Sequence, residues 1–350
     1  MTTASGRDGR LDRAAVLAWL RQDDPAALET LWAEADAVRH AHVGDAVHLR
    51  GLVEVSNHCV RQCTYCGIRA GNRNLARYRM TADEVLDCAR RIADLGYGTI
   101  VMQAGEDFGL AGPWVADLVA RIKATTPLAV TLSLGERLPD ELRAWRQAGA
   151  DRYLLRFETS DKALFDRIHP PRHGQSVPRW DLLGLLRDLG YEVGSGVMVG
   201  IPGQTWDSLA DDVMRFAGMD LDMIGVGPYI PHPDTPLAAV HGDGPDQVPA
   251  DATTACKVVA LARLVRPDAN IPATTALGTI DRAHGRELGL RRGANILMPN
   301  VTPDRYKACY EIYPDKAALG DPGEDLPGTV RDLLRRLGRP VGVGQGGRGG

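Results

Sequence analysis

The sequence predicts an α/β protein in which eight parallel strands and eight helices close into a complete (β/α)8 TIM-type barrel, preceded by a short N-terminal helical cap. Three observations predict it. From about residue 46 the chain alternates short apolar runs with amphipathic ones, in near-strict order. The apolar runs are mostly rich in Val, Ile or Leu, as strands covered on both faces should be. Polar clusters follow almost every run, which would gather them at one rim of a barrel. An open doubly wound sheet is the alternative arrangement of the same elements.

The first elements are helices. Ala14, Leu17 and Leu20, then Leu28, Leu31 and Trp32, recur at helical spacing, with Asp24–Pro25 as a break and a new start. Residues 1–45 are read as a helical extension, with Met1–Arg10 disordered. The barrel is expected over residues 46–340. Its strands are His48–Val55, Thr99–Gln103, Ala129–Leu134, Arg152–Phe157, Val193–Val199, Met223–Val226, Ile271–Thr275 and Asn295–Met298. Its helices are Thr81–Leu95, Pro113–Lys123, Pro139–Ala148, Lys162–Ile168, Pro178–Leu189, Ser208–Ala217, Ala250–Leu264 and Arg282–Leu288. Thr81-Ala-Asp-Glu84 is a capping box. Proline opens several other helices, where its missing N–H costs nothing. Residues 341–350 read as a flexible glycine-rich tail.

A hydrophobic content of 44% with 25% charged residues suits a globular protein with a sizeable core. The net charge of −4, with no basic tail, argues against nucleic acid or an anionic membrane as partner. No apolar run reaches membrane-spanning length. The polar start, Thr2 to Arg13, lacks a signal-peptide core, which argues for the cytoplasm. The six cysteines do not make a disulfide framework; Cys88 and Cys256 fall inside expected helices as small core residues.

The chemistry concentrates after the first strand. Cys59, Cys63 and Cys66 form a Cys-x3-Cys-x2-Cys triplet, with Tyr65 just before the last. Three thiolates this close point to an iron–sulfur cluster or a metal. A cubic 4Fe–4S cluster held by three cysteines keeps one iron open to another ligand. Structural zinc wants a fourth protein ligand, and the nearest candidate, His58, adjoins Cys59 awkwardly. The other rim clusters are Gln103-Ala-Gly-Glu-Asp107, Ser133-Leu-Gly-Glu136, Arg156-Phe-Glu158-Thr159, Met198 with Gly200 to Gln204, Gly227 to Pro236, Thr274-Thr275, and Pro299 to Thr302.

The cysteine spacing and Tyr65 resemble the radical S-adenosylmethionine (SAM) superfamily. There the open iron binds the amino and carboxylate groups of SAM, and one electron breaks the sulfur–C5′ bond to give methionine and a 5′-deoxyadenosyl radical. Longer strings are more specific. They include Asn57-His-Cys-Val-Arg-Gln-Cys-Thr-Tyr-Cys-Gly67, Arg77-Tyr-Arg-Met80, Thr131 to Glu136, Ala150 to Arg156, Met198 to Thr205, Gly227 to Leu237, Ile271 to Ala276 and Gly293 to Asn300. From about residue 50 to about 340 the chain resembles the HydE family of FeFe-hydrogenase maturases, within a group that includes biotin synthase and methylornithine synthase.

That resemblance implies a 4Fe–4S cluster on Cys59, Cys63 and Cys66. It places Tyr65, Gln103, Gly105, Glu106, Ser133, Glu158, Arg179 and Met198 around SAM, and Arg156, Thr274, Thr275 and Tyr306 in a substrate cavity. It implies an organometallic substrate, a cysteine-bound iron carbonyl cyanide complex, reshaped toward the hydrogenase di-iron site. Implied partners are a reductant such as flavodoxin or ferredoxin, and other hydrogenase maturases. Alternatives stay open. The chemistry could be a methylornithine synthase-type rearrangement of a small amino acid, or the protein a non-enzymatic iron–sulfur scaffold. Ala104-Gly105-Glu106 could be an ordinary turn, Arg179 a solvated surface group, and Arg156 with Glu158 a structural ion pair. Thr274-Thr275 could be a strand-end turn and Tyr306 and Tyr310 packing residues, while His232 reads as a turn residue. Two departures stand out. Tyr313 to Gly328 carries no cysteine where many members hold a second group. Phe157 stands where a His often precedes the matching Glu, which would alter the cavity's polarity.

Overall fold

The computed structural model describes residues 11–172, 178–242, 244–316 and 327–348. The expected disorder at Met1–Arg10 lies outside these residues. Seven strands form one parallel sheet: β1 (His48–Ser56), β2 (Thr99–Ala104), β3 (Ala129–Ser133), β4 (Arg152–Leu154), β5 (Glu192–Val199), β6 (Met223–Pro228) and β7 (Ile296–Leu297). Their order is β6-β5-β4-β3-β2-β1-β7. The first two helices are α1 (Arg13–Leu20) and α2 (Pro25–Val43). The outer layer is α3 (Ala82–Asp94), α4 (Gly112–Thr125), α5 (Pro139–Gln147), α6 (Lys162–Ile168), α7 (Arg179–Asp188), α8 (Trp206–Gly218), α9 (Ala252–Val265), α10 (Thr275–Ile280), α11 (Gly285–Arg291), α12 (Asp304–Lys307) and α13 (Pro327–Arg336). Among the described residues no helix is long and apolar enough to cross a membrane.

Local chemistry explains most boundaries. Asp12 and Asp24 start α1 and α2 by accepting the Ala15 and Ala27 N–H groups at 2.8 and 3.1 Å. Both bonds of the Thr81–Glu84 capping box are made. The apolar face of α3, including Val85, Ala89 and Ile92, is buried against the sheet, each larger side chain contributing about 1.5–3 kcal/mol. Gly51 of β1 permits that approach, since a Cβ there would lie 2.4 Å from Ile92 Cγ1. The helices α1 and α2 pack on α8 and α9 in the outer layer.

The seventh expected strand differs. Pro272 has no N–H to donate, and Thr274 already serves as the N-cap of α10. The segment therefore makes isolated parallel bridges: Asn270 to Met223 of β6, and Pro272 to Ile296 of β7. Likewise β4 stops at Leu154, short of the expected Phe157. Glu158 adopts a positive φ of 61° and rejoins β5 through a single bridge to Val197.

The tail is also corrected. Residues 341–348 are not loose; they cross the N-terminal ends of the strands. Val341 bridges Val47. The Gln345 carbonyl accepts from Thr99 Oγ1 (2.9 Å) and Arg152 Nη2 (3.2 Å). The Gly346 carbonyl accepts from Arg50 Nη2 at 2.9 Å. Arg348 ends the segment on Asp220, Asp222 and Asp268. The cause is the pair of buried arginines, Arg50 of β1 and Arg152 of β4, whose donors need acceptors. Glycine allows the fit: a Cβ on Gly98 would stand 1.7 Å from the Gly344 carbonyl oxygen. Deleting residues 342–350 should lower stability, on the order of 1–3 kcal/mol for each buried donor left unpaired. Urea denaturation measures it, and an unchanged midpoint would contradict the role given to the tail.

Candidate active site

The loop between β1 and α3 carries the three cysteines, and Arg77 shapes it. Its guanidinium donates to the carbonyl oxygens of Asn57 (2.5 Å), Ile68 (2.8 Å), Arg69 (2.7 Å) and Asn72 (3.0 Å). The Asn57 amide ties the same loop to the Ala76 and Cys309 carbonyls at 2.7 and 2.6 Å. Gly105 lets the turn after β2 press against it: a Cβ there would meet the His58 carbonyl oxygen at 2.3 Å. Cys59 and Cys66 face a cavity of about 340 Å³ lined by residues of the strands and the loops after them. Cys63 is buried beside His169.

The donor set can be tested against a cluster. Burial raises all three thiols above their usual pKa, and neighbouring thiolate charge adds to this for Cys63 and for Cys66, which reaches about 12. As free thiols they stay protonated; as ligands they need nearby positive charge, which iron supplies. Among the described residues no three His, Cys, Asp or Glu side chains are placed to share one metal ion. Three thiols on one loop, two facing the cavity and one buried beside it, are donors of the kind that hold an iron–sulfur cluster.

The structure gathers most of the other candidates. Tyr65, Gln103, Gly105, Ser133, Arg156, Glu158, Met198, Thr274 and Thr275 line the same cavity. The positive φ of Glu158 is a strained conformation held by β5, with the Glu158 N–H donating to the Gly196 carbonyl at 3.0 Å. Its carboxylate pairs with Arg156 at 2.9 Å and accepts from the Tyr65 hydroxyl at 3.5 Å. Thr274 donates to the Val226 carbonyl at 3.0 Å.

Three candidates are placed differently. Glu106 turns from the cavity to Arg61 (2.9 Å) and accepts the Glu136 N–H (3.0 Å). The Arg179 side chain is 9% exposed, not solvated. Its fork is filled by Glu136 (2.9 Å), the Arg156 carbonyl (2.6 Å) and His169 Nε2 (2.9 Å). Burial alone would raise the Glu136 carboxyl, but the Arg179 and Arg61 guanidiniums beside it hold it below the usual carboxylate range. Burial, then the Arg179 charge, bring His169 down to about 4. Tyr306 does not close the cavity. It stacks on Tyr78 at 4.5 Å and donates to Glu84 at 2.8 Å, while Tyr310, four residues later and beyond the helix, faces inward and accepts from Gln103 at 3.3 Å. Phe157 also leaves the cavity's polarity untouched: its ring points outward and packs against Trp180 and Phe216. His232 accepts the Asp234 N–H at 3.1 Å, as a turn residue does.

The structure adds residues that sequence reasoning missed. Glu54 of β1 is fully buried and faces the cavity, paired with Lys316 and accepting from Asn300 Nδ2 at 3.1 Å. A lone carboxylate within an apolar strand was the available signal; Lys316, in a loop, had none. Gly225 of β6, with Gly227 of the expected rim cluster, leaves space before Arg156. Cβ atoms there would lie 4.0 and 3.9 Å from Arg156 Nη1.

Comparison with known proteins agrees with this geometry. Residues 53–216 match the Radical SAM superfamily. The chain is 45% identical over 320 residues to the [FeFe] hydrogenase maturase subunit HydE of Thermotoga maritima, covering 91% of this chain and 89% of that protein. It is 27% identical to 3-methylornithine synthase of Methanosarcina acetivorans, over 79% of this chain and 76% of that one. The solved structure of methylornithine synthase (PylB) superposes with a TM-score of 0.79 at 24% identity, covering 95% and 94% of the two chains, and shares the fold. Three cysteines on a loop at the rim of a parallel α/β sheet and near-full-length likeness converge: the chain belongs to the HydE family of radical SAM enzymes.

Proposed function

We propose that the protein is a HydE-type maturase that acts on a cysteine-bound iron carbonyl cyanide complex during assembly of the FeFe-hydrogenase di-iron site. One observation carries this reading: the cysteine loop and polar groups from separate strand ends open on one cavity. When bound, a 4Fe–4S cluster and SAM supply one electron and a sulfonium, whose reductive cleavage gives a 5′-deoxyadenosyl radical.

The chain's residues do the rest. Cys59, Cys63 and Cys66 hold the cluster. Tyr65, Gln103, Gly105, Ser133, Glu158 and Met198 surround SAM, with Glu158 accepting from ribose hydroxyls. Glu106 and Arg179 act from behind, fixing Arg61, Glu136 and His169. Arg156, Thr274 and Thr275 receive anionic groups of the substrate, and Gly225 and Gly227 leave it room. Residues 270–273 act as the eighth stave of a complete (β/α)8 barrel spanning 46–340, with 1–45 as a helical extension. Such an enclosure keeps water from a radical and a labile complex. A low-potential reductant such as flavodoxin or ferredoxin delivers the electron in the cytoplasm, and other hydrogenase maturases supply and take the complex.

The test is anaerobic. Reconstituted, reduced protein is given SAM with a cysteine-type thiol compound or with lysine. Attachment of the adenosyl group to sulfur is the expected result. Methylornithine from lysine would overturn the maturase reading in favour of a mutase.

A further inference from the structure

His169 stands at the C-terminal end of α6, 6% exposed, between a cysteine and an arginine. Its Nδ1 lies 3.0 Å from Cys63 Sγ, and its Nε2 lies 2.9 Å from Arg179 Nη2. A guanidinium only donates hydrogen bonds. The Arg179 contact therefore requires a lone pair on Nε2, so the ring's one proton sits on Nδ1, facing the sulfur. Arg179 cannot swing away, because Glu136 and the Arg156 carbonyl hold its other nitrogens at 2.9 and 2.6 Å. The Glu136 carboxylate is 3.7 Å from His169 Nε2, beyond hydrogen-bond distance, and does not take that position. The Phe165 ring covers the imidazole, centroids 5.0 Å apart.

We propose that His169 is a positioning residue that donates an Nδ1–H hydrogen bond to the Cys63 sulfur, and that Arg179 fixes the tautomer that makes this possible. The inference rests on Cys63 being a cluster ligand. A donor on a ligand sulfur favours the reduced, more negative cluster and raises its potential. His169 thus eases transfer of the electron from a one-electron donor into the cluster, without touching SAM or substrate. Arg179 gains a role apart from direct contact with the SAM carboxylate.

Two measurements test it. The first is an EPR-monitored redox titration of the reconstituted full chain. His169→Leu, holding the same iron and sulfide as wild type, should shift the midpoint potential to more negative values. His169→Asn, whose amide N–H sits where Nδ1–H was, should restore it. An unshifted potential in His169→Leu at full cluster occupancy would overturn the proposal. If that variant does not hold the cluster, His169→Gln, which moves the donor away from the sulfur, takes its place with the same expectation. The second measurement needs no cluster. Imidazole ¹⁵N shifts of the metal-free chain should show the Nδ1–H tautomer at His169, and Arg179→Met should release it; an Nε2–H tautomer in the wild type sinks the idea. A wild type that binds no iron while keeping the Nδ1–H tautomer would count against the cluster reading, not against the tautomer.

Discussion

Cys66→Ala should leave a folded protein that holds little iron and releases no 5′-deoxyadenosine above the level seen without enzyme. Cys66 lines the cavity, so on the proposed reading its loss removes a cluster ligand and not a packing element. With two thiolates left, the cube has too few protein anchors to survive exchange. Cys256→Ala is the control. Cys256 is buried within α9, away from the cavity-lining residues, and its substitution should keep iron, sulfide and SAM cleavage at wild-type levels. Iron and sulfide quantification with chromatographic detection of 5′-deoxyadenosine under dithionite reads both variants. Deoxyadenosine at the wild-type rate from Cys66→Ala would remove the basis of the catalytic reading.

Lys316→Met carries the second large effect. Glu54 is wholly buried, with Lys316 as its cation and Asn300 as a further donor. Taking away the cation strands a carboxylate in the interior, a change that costs about 3–5 kcal/mol. The ammonium also lies 5.0 Å from the Tyr310 ring centroid, so a small cation–π contribution goes with it. The double variant Glu54→Gln with Lys316→Met should regain most of the loss, because a neutral amide still accepts from Asn300 and no buried charge remains. Chemical denaturation of the single and double variants measures this. Equal midpoints for wild type and Lys316→Met would show that the pair does not stabilise the fold.

These residues also mark where sequence reasoning succeeds and where it stops. The helix Lys162–Ile168 is legible in the sequence with its observed bounds because Asp161 caps it and its apolar spacing is local. The cysteine triplet was legible because ligand spacing is itself a local property. Strands β1, β2, β3 and β5 were found within two residues because runs of Val, Ile and Leu covered on both faces need no partner to be recognised. What failed was direction and reach. Phe157 and Glu158 are neighbours, yet one side chain enters the packing beneath α7 and α8 and the other enters the cavity. That choice depends on the pleat of β4 and the positive φ at Glu158, which no run of letters displays. Tyr306 and Tyr310 were one helical turn apart in expectation, but α12 is only four residues long and the chain unwinds between them. Glu106 and Arg179 were read as ligand contacts because their types suit an ammonium and a carboxylate. The structure first engages them with Arg61, Glu136 and His169, partners brought close only by the tertiary fold.

The segment beneath the strands has a bearing on biosynthesis. Arg50 waits for an acceptor 296 positions further along the chain. While the ribosome is still making the second half, the first strands can pair and recruit their helices, but their base stays wet and two guanidiniums keep their water. Completion thus requires a contact of very large sequence separation, which slows the last step of folding. In the cell, that interval is when a chaperone has most to hold.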